Sequence, residues 1–235
     1  MRKRSRRKQR AGLGFFIGRV AAIIMMVVVS YYGFCTLLLL SYNFISPPVT
    51  GVQIQRTIEG TLSGDPLVFS YQPVPRDQIS QHLAHAVIAA EDGRFFEHFG
   101  VDWKAVEKAM EDNRRRGTMW RGGSTITQQL VKNLFMTTHS SLVRKAFEVP
   151  LTFLAELLLP KERILTLYLN VIEWSSGVYG AEAAARHYFG APASGLSRYQ
   201  AASLAAVIPA PRSRSPQRMG SYTSTIQRRM AQMGY

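Results

Sequence analysis

The sequence predicts a mainly α-helical domain behind one N-terminal transmembrane helix, with a short β element between the two. Three observations carry this. Val20 to Leu40 is almost wholly apolar and long enough to cross a bilayer, apolar residues recur at spacings of three and four from Asp77 onward, and strand-like alternation is confined to Val52–Val74.

The 235 residues are 46% hydrophobic and 19% charged, which excludes a disordered polar chain and fits one membrane-attached globular domain. A net charge of +14 suggests a nucleic-acid binder until the charge is located. Arg2, Lys3, Arg4, Arg6, Arg7, Lys8, Arg10 and Arg19 all precede or open the apolar run, and these eight leave only +6 of the +14 to the rest. That mildly basic remainder suits anionic substrates or an anionic membrane surface and selects neither, and no nucleic-acid partner is expected.

Between Arg19 and Arg56 there is no charged residue. A cleaved signal peptide would carry a shorter apolar region, about 7 to 15 residues, followed by a small-residue cleavage site. "LLLLSYNF" at Leu37–Phe44 supplies none, so the span is read as an uncleaved anchor. The basic cluster retains the N-terminus in the cytoplasm and sends everything after about Tyr42 to the outer face. Tyr31 and Tyr32 lie mid-span, and Tyr42 and Phe44 suit the far interface. The lone cysteine, Cys35, falls within the span, which rules out a disulfide framework and leaves the compartment undecided. The expected organisation is a basic cytoplasmic segment (1–19), a transmembrane helix (20–40), a linker with short strands (41–76) and an extracytoplasmic domain (77–235).

In the linker, "SPPVTG" is extended because proline fixes φ and biases its predecessor away from helix, while "VQIQRTIEG" and "LVFSYQPV" alternate as strands do. Helical spacing then dominates, through Leu83, Ala86, Val87 and Ala90 and later "VPLTFLAELLL", "RILTLYLNVI", "AEAAARHYF" and "YQAASLAAVI". The one polar, Gly-rich interruption, "EDNRRRGTMWRGG" at Glu111–Gly123, is expected to be a loop. Its Arg114, Arg115, Arg116, Met119, Trp120 and Arg121 suit a membrane surface, and equally a loop without a role.

Candidate chemistry begins at "AAEDGRFFEHFG", Ala89–Gly100, where two carboxylates follow an apolar run. A helix capped by Asp77 or Ser80 and stopped by Gly93 places Glu91 in its last turn. There the negative helix end, the neighbouring Asp92 and the loss of water all disfavour an ionised carboxylate, which makes Glu91 a candidate general base. Taken alone, the pair is more simply a solvated helix end. "GGSTITQQLVKNLF" at Gly122–Phe135 carries a capping box, Thr125 with Gln128, and sets Thr125, Gln128 and Lys132 on one face with Gln129 at its edge. Beside a free helix N-terminus, that face suits phosphates and sugar hydroxyls; a solvated amphipathic helix has the same spacing. In "RKAFE", Arg144 and Glu148 are one turn apart, as in an ordinary exposed ion pair, and Pro150 makes the backbone there suspect.

Five blocks occur in order: "EDGRFFEHFG", "GGSTITQQLVKNLF", "RKAFE", "KERILTLYLNVIEW" running into "GVYGAEAAARHYFG", and "LAAVIPAPRSRSP". In these the chain resembles the monofunctional biosynthetic peptidoglycan transglycosylases of glycosyltransferase family 51. The resemblance implies a lysozyme-like, mainly helical domain partly embedded in the membrane surface. It implies an enzyme that polymerises glycan strands from a lipid-linked disaccharide-peptide precursor (lipid II), inverting the anomeric centre and releasing polyprenyl pyrophosphate. It assigns Glu91 as the base, Glu148 as a second functional carboxylate, and Ser124, Thr125, Gln128, Gln129, Lys132 and Arg144 to the donor and its pyrophosphate. Asp92 would act beside Glu91, sustaining its proton affinity at the edge of the substrate site. His98 and Asn170 match the family and are read as structural; Phe95, Phe96, Tyr188 and Phe189 are read as core. Gln200 stands where many relatives carry Glu, which removes a third carboxylate without touching the proposed base.

No cofactor is required, since the substrate is already activated. A divalent cation, magnesium or manganese, would assist the pyrophosphate, but no His/Asp/Glu cluster with ligand spacing is visible to hold it. The expected partners are lipid II, the growing lipid-linked chain, the membrane and penicillin-binding transpeptidases, because no S-x-x-K or K-T-G box follows the span. The expected location is the inner (cytoplasmic) membrane, with a periplasmic catalytic domain. A lytic muramidase of the same fold and a non-catalytic cell-wall anchor are the competing readings.

Overall fold

In the computed structural model, which describes residues 2–64, 68–117, 123–139 and 141–235 (side chains of 2–14, 116 and 142 excepted), the chain forms two units, 1–41 and 42–235. The first is a single helix, α1 (Arg2–Ser41). Its stretch Phe15–Ser41, 27 residues with a mean hydropathy of 2.3, is long and apolar enough to cross a membrane. At about 1.5 Å per residue it exceeds the roughly 30 Å hydrocarbon core. Side chains such as Ile23, Met25, Val27, Phe34 and Leu37 are exposed, an arrangement costly in water and suited to lipid. The run starts earlier than Val20 because Arg19 does not interrupt it: its guanidinium lies over the Phe15 ring, 4.7 Å from the centroid.

The second unit opens with a helix where strands were expected. Helix α2 (Gly51–Ser63) begins at a capping box in which Thr50 accepts from the Gln53 amide and the Gln53 side chain accepts from the Thr50 amide. The alternation in "VQIQRTIEG" is too short to specify a strand, and Ile54, Ile58 and Leu62 are equally spaced by one helical turn. Gly51 lets the helix dock on the Met136 backbone, since a Cβ there would lie 2.8 Å from the Met136 carbonyl oxygen. Only "LVFSYQPV" contributes a strand, β1 (Ser70–Tyr71).

The catalytic-type motifs then fall on α3 (Gln81–Glu91), α4 (Trp103–Arg116), α5 (Ile126–Phe135) and α6 (Leu142–Leu158). Behind them come α7 (Lys161–Val171), β2 (Glu173–Ser175), β3 (Val178–Tyr179), α8 (Ala181–Phe189), α9 (Arg198–Ala205) and α10 (Gly220–Gln232). The small sheet has the order β1-β3-β2, with β1 parallel to β3 (Ser70 opposite Val178) and β2 antiparallel to it across an irregularity. Asn170 ties the linker to α7, accepting from the Val74 amide and donating to the Val74 carbonyl. This is the structural role expected of it.

Two layers position the site. Helix α3, with Leu83, Val87 and Ile88 buried, packs on α9 and α10, where Leu204, Ile226 and Met230 are buried too; α5 packs on α7, α6 and α2. Alanine-rich α9 allows the close approach, and Gln200 there serves as its capping-box acceptor for the Ser197 amide. Phe95 is buried as expected, but Phe96 is exposed because the turn after α3 points its ring outward; Tyr188 and Phe189 are half-buried.

Half of the expected loop at Glu111–Gly123 is helix. Asp102 caps α4 by accepting from the Ala105 amide, and the helix runs through Arg114, Arg115 and Arg116 to Gly117, with Arg115 paired one turn back to Glu111. Polarity on a helix exposed to solvent mimics a loop composition. Met119, Trp120 and Arg121 lie outside the described residues. Pro150 likewise does not break α6: the 17-residue helix runs through it, and the Glu148 carbonyl accepts from the Thr152 hydroxyl at 2.8 Å.

Candidate active site

Helix α3 ends at Glu91, and Asp92 forms its cap with an extended φ of −156° and its amide on the Ile88 carbonyl; Gly93 has no left-handed stop to perform. Glu91 therefore sits at the helix C-terminus, half-buried, as the sequence implied. Burial raises its carboxyl above the ordinary range. A hydrogen bond from Gln129, then Lys132 and Arg214, act against that, and Asp92 adds a smaller upward push. The Gln129 Nε2 donates to Glu91 Oε2 at 2.8 Å.

Asp92 does different work from its neighbour. Its carboxylate is buried, lies 2.9 Å from His98 Nε2 and accepts from the Ile126 amide at 3.0 Å. The first amide of α5 is thus taken by an anion of this chain, as the helix dipole favours. Expectation placed a free helix N-terminus here for phosphate; the structure fills it. Thr125 and Gln128 also bond within the chain. Both are buried, with Thr125 Oγ1 donating to the Gly100 carbonyl and accepting from the Gln128 amide, and Gln128 Oε1 accepting from the Thr125 amide. These bonds set the start of the helix, and Thr125 also lines the cleft described below. Gly100 accepts this bond at φ +74°, where a Cβ would also meet Thr152 Cγ2 at 2.9 Å. Losing the Thr125 cap, as in Thr125→Ala, should lower unfolding stability by about 1 kcal/mol in thermal or urea denaturation.

Helix α5 is not an amphipathic surface helix but a nearly buried one. Of its polar residues only Gln129 and Lys132, one turn apart, reach partial exposure beside Glu91. Burial and the nearby Arg144 depress the Lys132 ammonium's pKa, and Glu148 raises it. Glu148 is 2% exposed, with Oε2 accepting from Arg144 Nη1 at 2.9 Å and Oε1 from Lys145 Nζ at 2.5 Å. Lys145 also donates to Ser124, at 3.4 Å, on the rim of an open cleft of about 820 Å³. That cleft is lined by Glu91, Gln129, Arg214, Tyr222 and Arg229 among others.

Four of these groups had no role in the sequence reading. Lys145 stands three residues before Glu148, a spacing that faces it on a helix, and was open to detection in the same block. Arg214, within the fifth block, and Tyr222 and Arg229 beyond it reach the cleft from distant segments, and nothing in their spacing gave them a role. The structure also brings Asp92, His98 and Asp102 within 4.8 Å of one another, a grouping with metal-ligand chemistry that spacing did not disclose. Its carboxylates are engaged: His98 Nε2 holds Asp92, and Arg94 forms an ion pair with Asp102. A guanidinium in the group does not fit a divalent ion.

A buried carboxylate with raised proton affinity, one amide donor on it, and a cluster of cations beyond suit proton removal next to a developing anion. The family model described as Transglycosylase matches residues 67–234. The chain belongs to the transglycosylase family. Its helical domain is accordingly lysozyme-like. It is 44% identical over 212 residues to the biosynthetic peptidoglycan transglycosylase of Pseudomonas fluorescens (strain SBW25), covering 88% of each chain. It is 43% identical to the protein of that name from Chromohalobacter salexigens, over 93% of this chain and 95% of the relative. For the Bordetella pertussis (strain Tohama I) protein the identity is 44%, over 90% and 92%.

Proposed function

We propose that this transglycosylase polymerises peptidoglycan glycan strands from the lipid-linked disaccharide-pentapeptide precursor, lipid II. Family membership makes it a peptidoglycan glycosyltransferase, and the observation that carries the residue roles is the buried Glu91 carboxylate beside Lys132, whose own neighbours are Arg144, Lys145 and Glu148. In this reading Glu91 takes the proton of the acceptor's sugar hydroxyl as that oxygen attacks the donor's anomeric carbon. The C–O bond to the polyprenyl pyrophosphate breaks with inversion, and the pyrophosphate leaves with the electron pair. Lys132, Arg144 and Lys145 stabilise the leaving charge, and Ser124, bonded to Lys145, lies where the donor enters. Glu148 holds Arg144 and Lys145 in place, which makes it a positioning carboxylate.

Magnesium or manganese would screen the pyrophosphate charge; Asp102 and Glu148 are already paired with cations of the chain and Asp92 with His98 and the Ile126 amide, so these carboxylates would not hold it. The protein sits in the inner membrane by one span, N-terminus in the cytoplasm and catalytic domain in the periplasm, and hands its strands to penicillin-binding transpeptidases. The span and its orientation are supported by the apolar stretch of α1, Phe15–Ser41, and by the basic residues that precede that stretch. A reporter enzyme fused after Tyr235 is expected to be active outside the cytoplasm; cytoplasmic activity overturns the orientation.

The deciding experiment incubates the purified full chain with lipid II in detergent and separates products on a gel. Long strands that muramidase digests are expected. Absence of polymer from active precursor refutes polymerisation, and cleavage of preformed glycan instead would favour a lytic enzyme.

A further inference from the structure

Behind Glu91 lies a group that the proposed chemistry does not use. Tyr168, on α7, is completely buried, and its hydroxyl donates to Gln129 Oε1 at 2.8 Å. Gln129 in turn donates through Nε2 to Glu91 Oε2 at 2.8 Å. The three side chains come from α7, α5 and α3 and form one line from the core to the cleft.

The order of donors in this line follows from chemistry. A glutamine side chain has one acceptor end and one donor end, and an ionised carboxylate only accepts. Were the amide reversed, its oxygen would face the Glu91 carboxylate and repel it, and Glu91 would be satisfied only when protonated. Tyr168 opposes the reversal, because its buried hydroxyl proton needs an acceptor and the one it uses is Gln129 Oε1. The Gln129 backbone is fixed as well, since its carbonyl accepts from Asn133 Nδ2 at 2.8 Å.

We propose that Tyr168 is a positioning residue for the transglycosylase reaction, locking the Gln129 amide with its NH2 toward Glu91 so that the carboxylate is held in its basic form and aimed into the cleft. This rests on the reading of Glu91 as the base. The other groups facing Glu91 are Asp92 on its own turn, Lys132 from α5 and Arg214 from the segment after α9, while Arg229 from α10 donates to the nearby Ala89 carbonyl. Burial raises the Glu91 carboxyl, and the Gln129 bond is the largest opposing influence, ahead of both cations. Burial also pushes the Tyr168 hydroxyl far above its ordinary range, so it stays a donor throughout the working pH. The relay therefore governs the pH at which the base becomes available.

The test is the pH profile of kcat for polymerisation of lipid II by the full-length protein in detergent. In Tyr168→Phe the amide is free to turn, Glu91 keeps its proton to higher pH, and the acid limb is expected to move up by about one pH unit with KM within about twofold. Gln129→Leu should move the limb in the same direction. The double variant should move it no further than Gln129→Leu alone, because Tyr168 acts only through Gln129. An unmoved limb in Tyr168→Phe, or additive shifts in the double variant, overturns the proposal. Should Tyr168→Phe fail to fold, 3-fluorotyrosine at position 168 keeps the shape and strengthens the donor, and the limb should then move down; a limb that stays put is equally fatal. The two levels separate cleanly. Polymerisation by Glu91→Gln would sink the base assignment and the relay together, whereas an inactive Glu91→Gln beside an unshifted Tyr168→Phe sinks the relay alone.

Discussion

Glu91→Gln is expected to lower the polymerisation rate by about a hundred- to ten-thousand-fold, the range general-base catalysis supplies, while leaving a protein at least as stable as the parent at neutral pH. The second half follows from the same burial that tunes the first. The folded-state pKa of Glu91 is raised above the unfolded value, chiefly by burial. The folded chain therefore binds more proton than the unfolded one between those two values, and stability falls as pH climbs through that window. Above it, the parent carries the full cost of a buried anion, and glutamine does not. Glutamine still accepts from Gln129 through its own amide oxygen, so the local geometry survives. Thermal unfolding of parent and variant across pH checks this: the advantage of Glu91→Gln should be largest at neutral pH and vanish below the ordinary glutamate range, where both side chains are neutral. A variant that is inactive because it is unfolded would show the reverse. Such a site trades stability for function.

How much of this was legible in the sequence depends on whether the signal is local. Glu91 was, because an apolar run at helical spacing followed by a turn places it at a helix end whatever the rest of the fold does. The capping box Thr125/Gln128 was also legible, but its meaning was not: the same residues serve a surface helix or a buried one, and only packing against α6 and α7 shows that α5 is interior. Helix α2 was missed because a few alternating residues satisfy strand and helix alike, and its capping box decides the matter. Asp92 differs from Glu91 through partners at residues 98 and 126, in segments whose approach no spacing rule reports. Tyr168 was hidden for a further reason. In "TLYLN" it resembles any core aromatic, and its hydroxyl acquires a role only where α7 crosses Gln129.

Glu148→Gln should act through cations, with two separable signatures. The carboxylate is buried and accepts from both Arg144 and Lys145, which are only 19% and 29% exposed along their side chains. Gln keeps the shape and removes the charge, leaving two partly buried cations beside Lys132 with nothing between them. Breaking a buried pair by deleting one partner is destabilising, and with partial exposure of the cations a loss of about 2 to 3 kcal/mol is expected. Inorganic pyrophosphate should restore part of that loss in the variant and stabilise the parent less, because the added anion replaces the missing one. The second signature is in the pH profile. Lys132 is already depressed by burial, with Arg144 and Lys145 adding to the fall and Glu148 opposing it. Without Glu148 the ammonium loses its proton at lower pH, so the alkaline limb of kcat should move down while the acid limb, set by Glu91, stays where it was. Had Glu148 been the general base, its removal would instead erase the acid limb. The two limbs therefore assign the two carboxylates independently: Glu91 to the proton of the acceptor, and Glu148 to the charge of the leaving pyrophosphate.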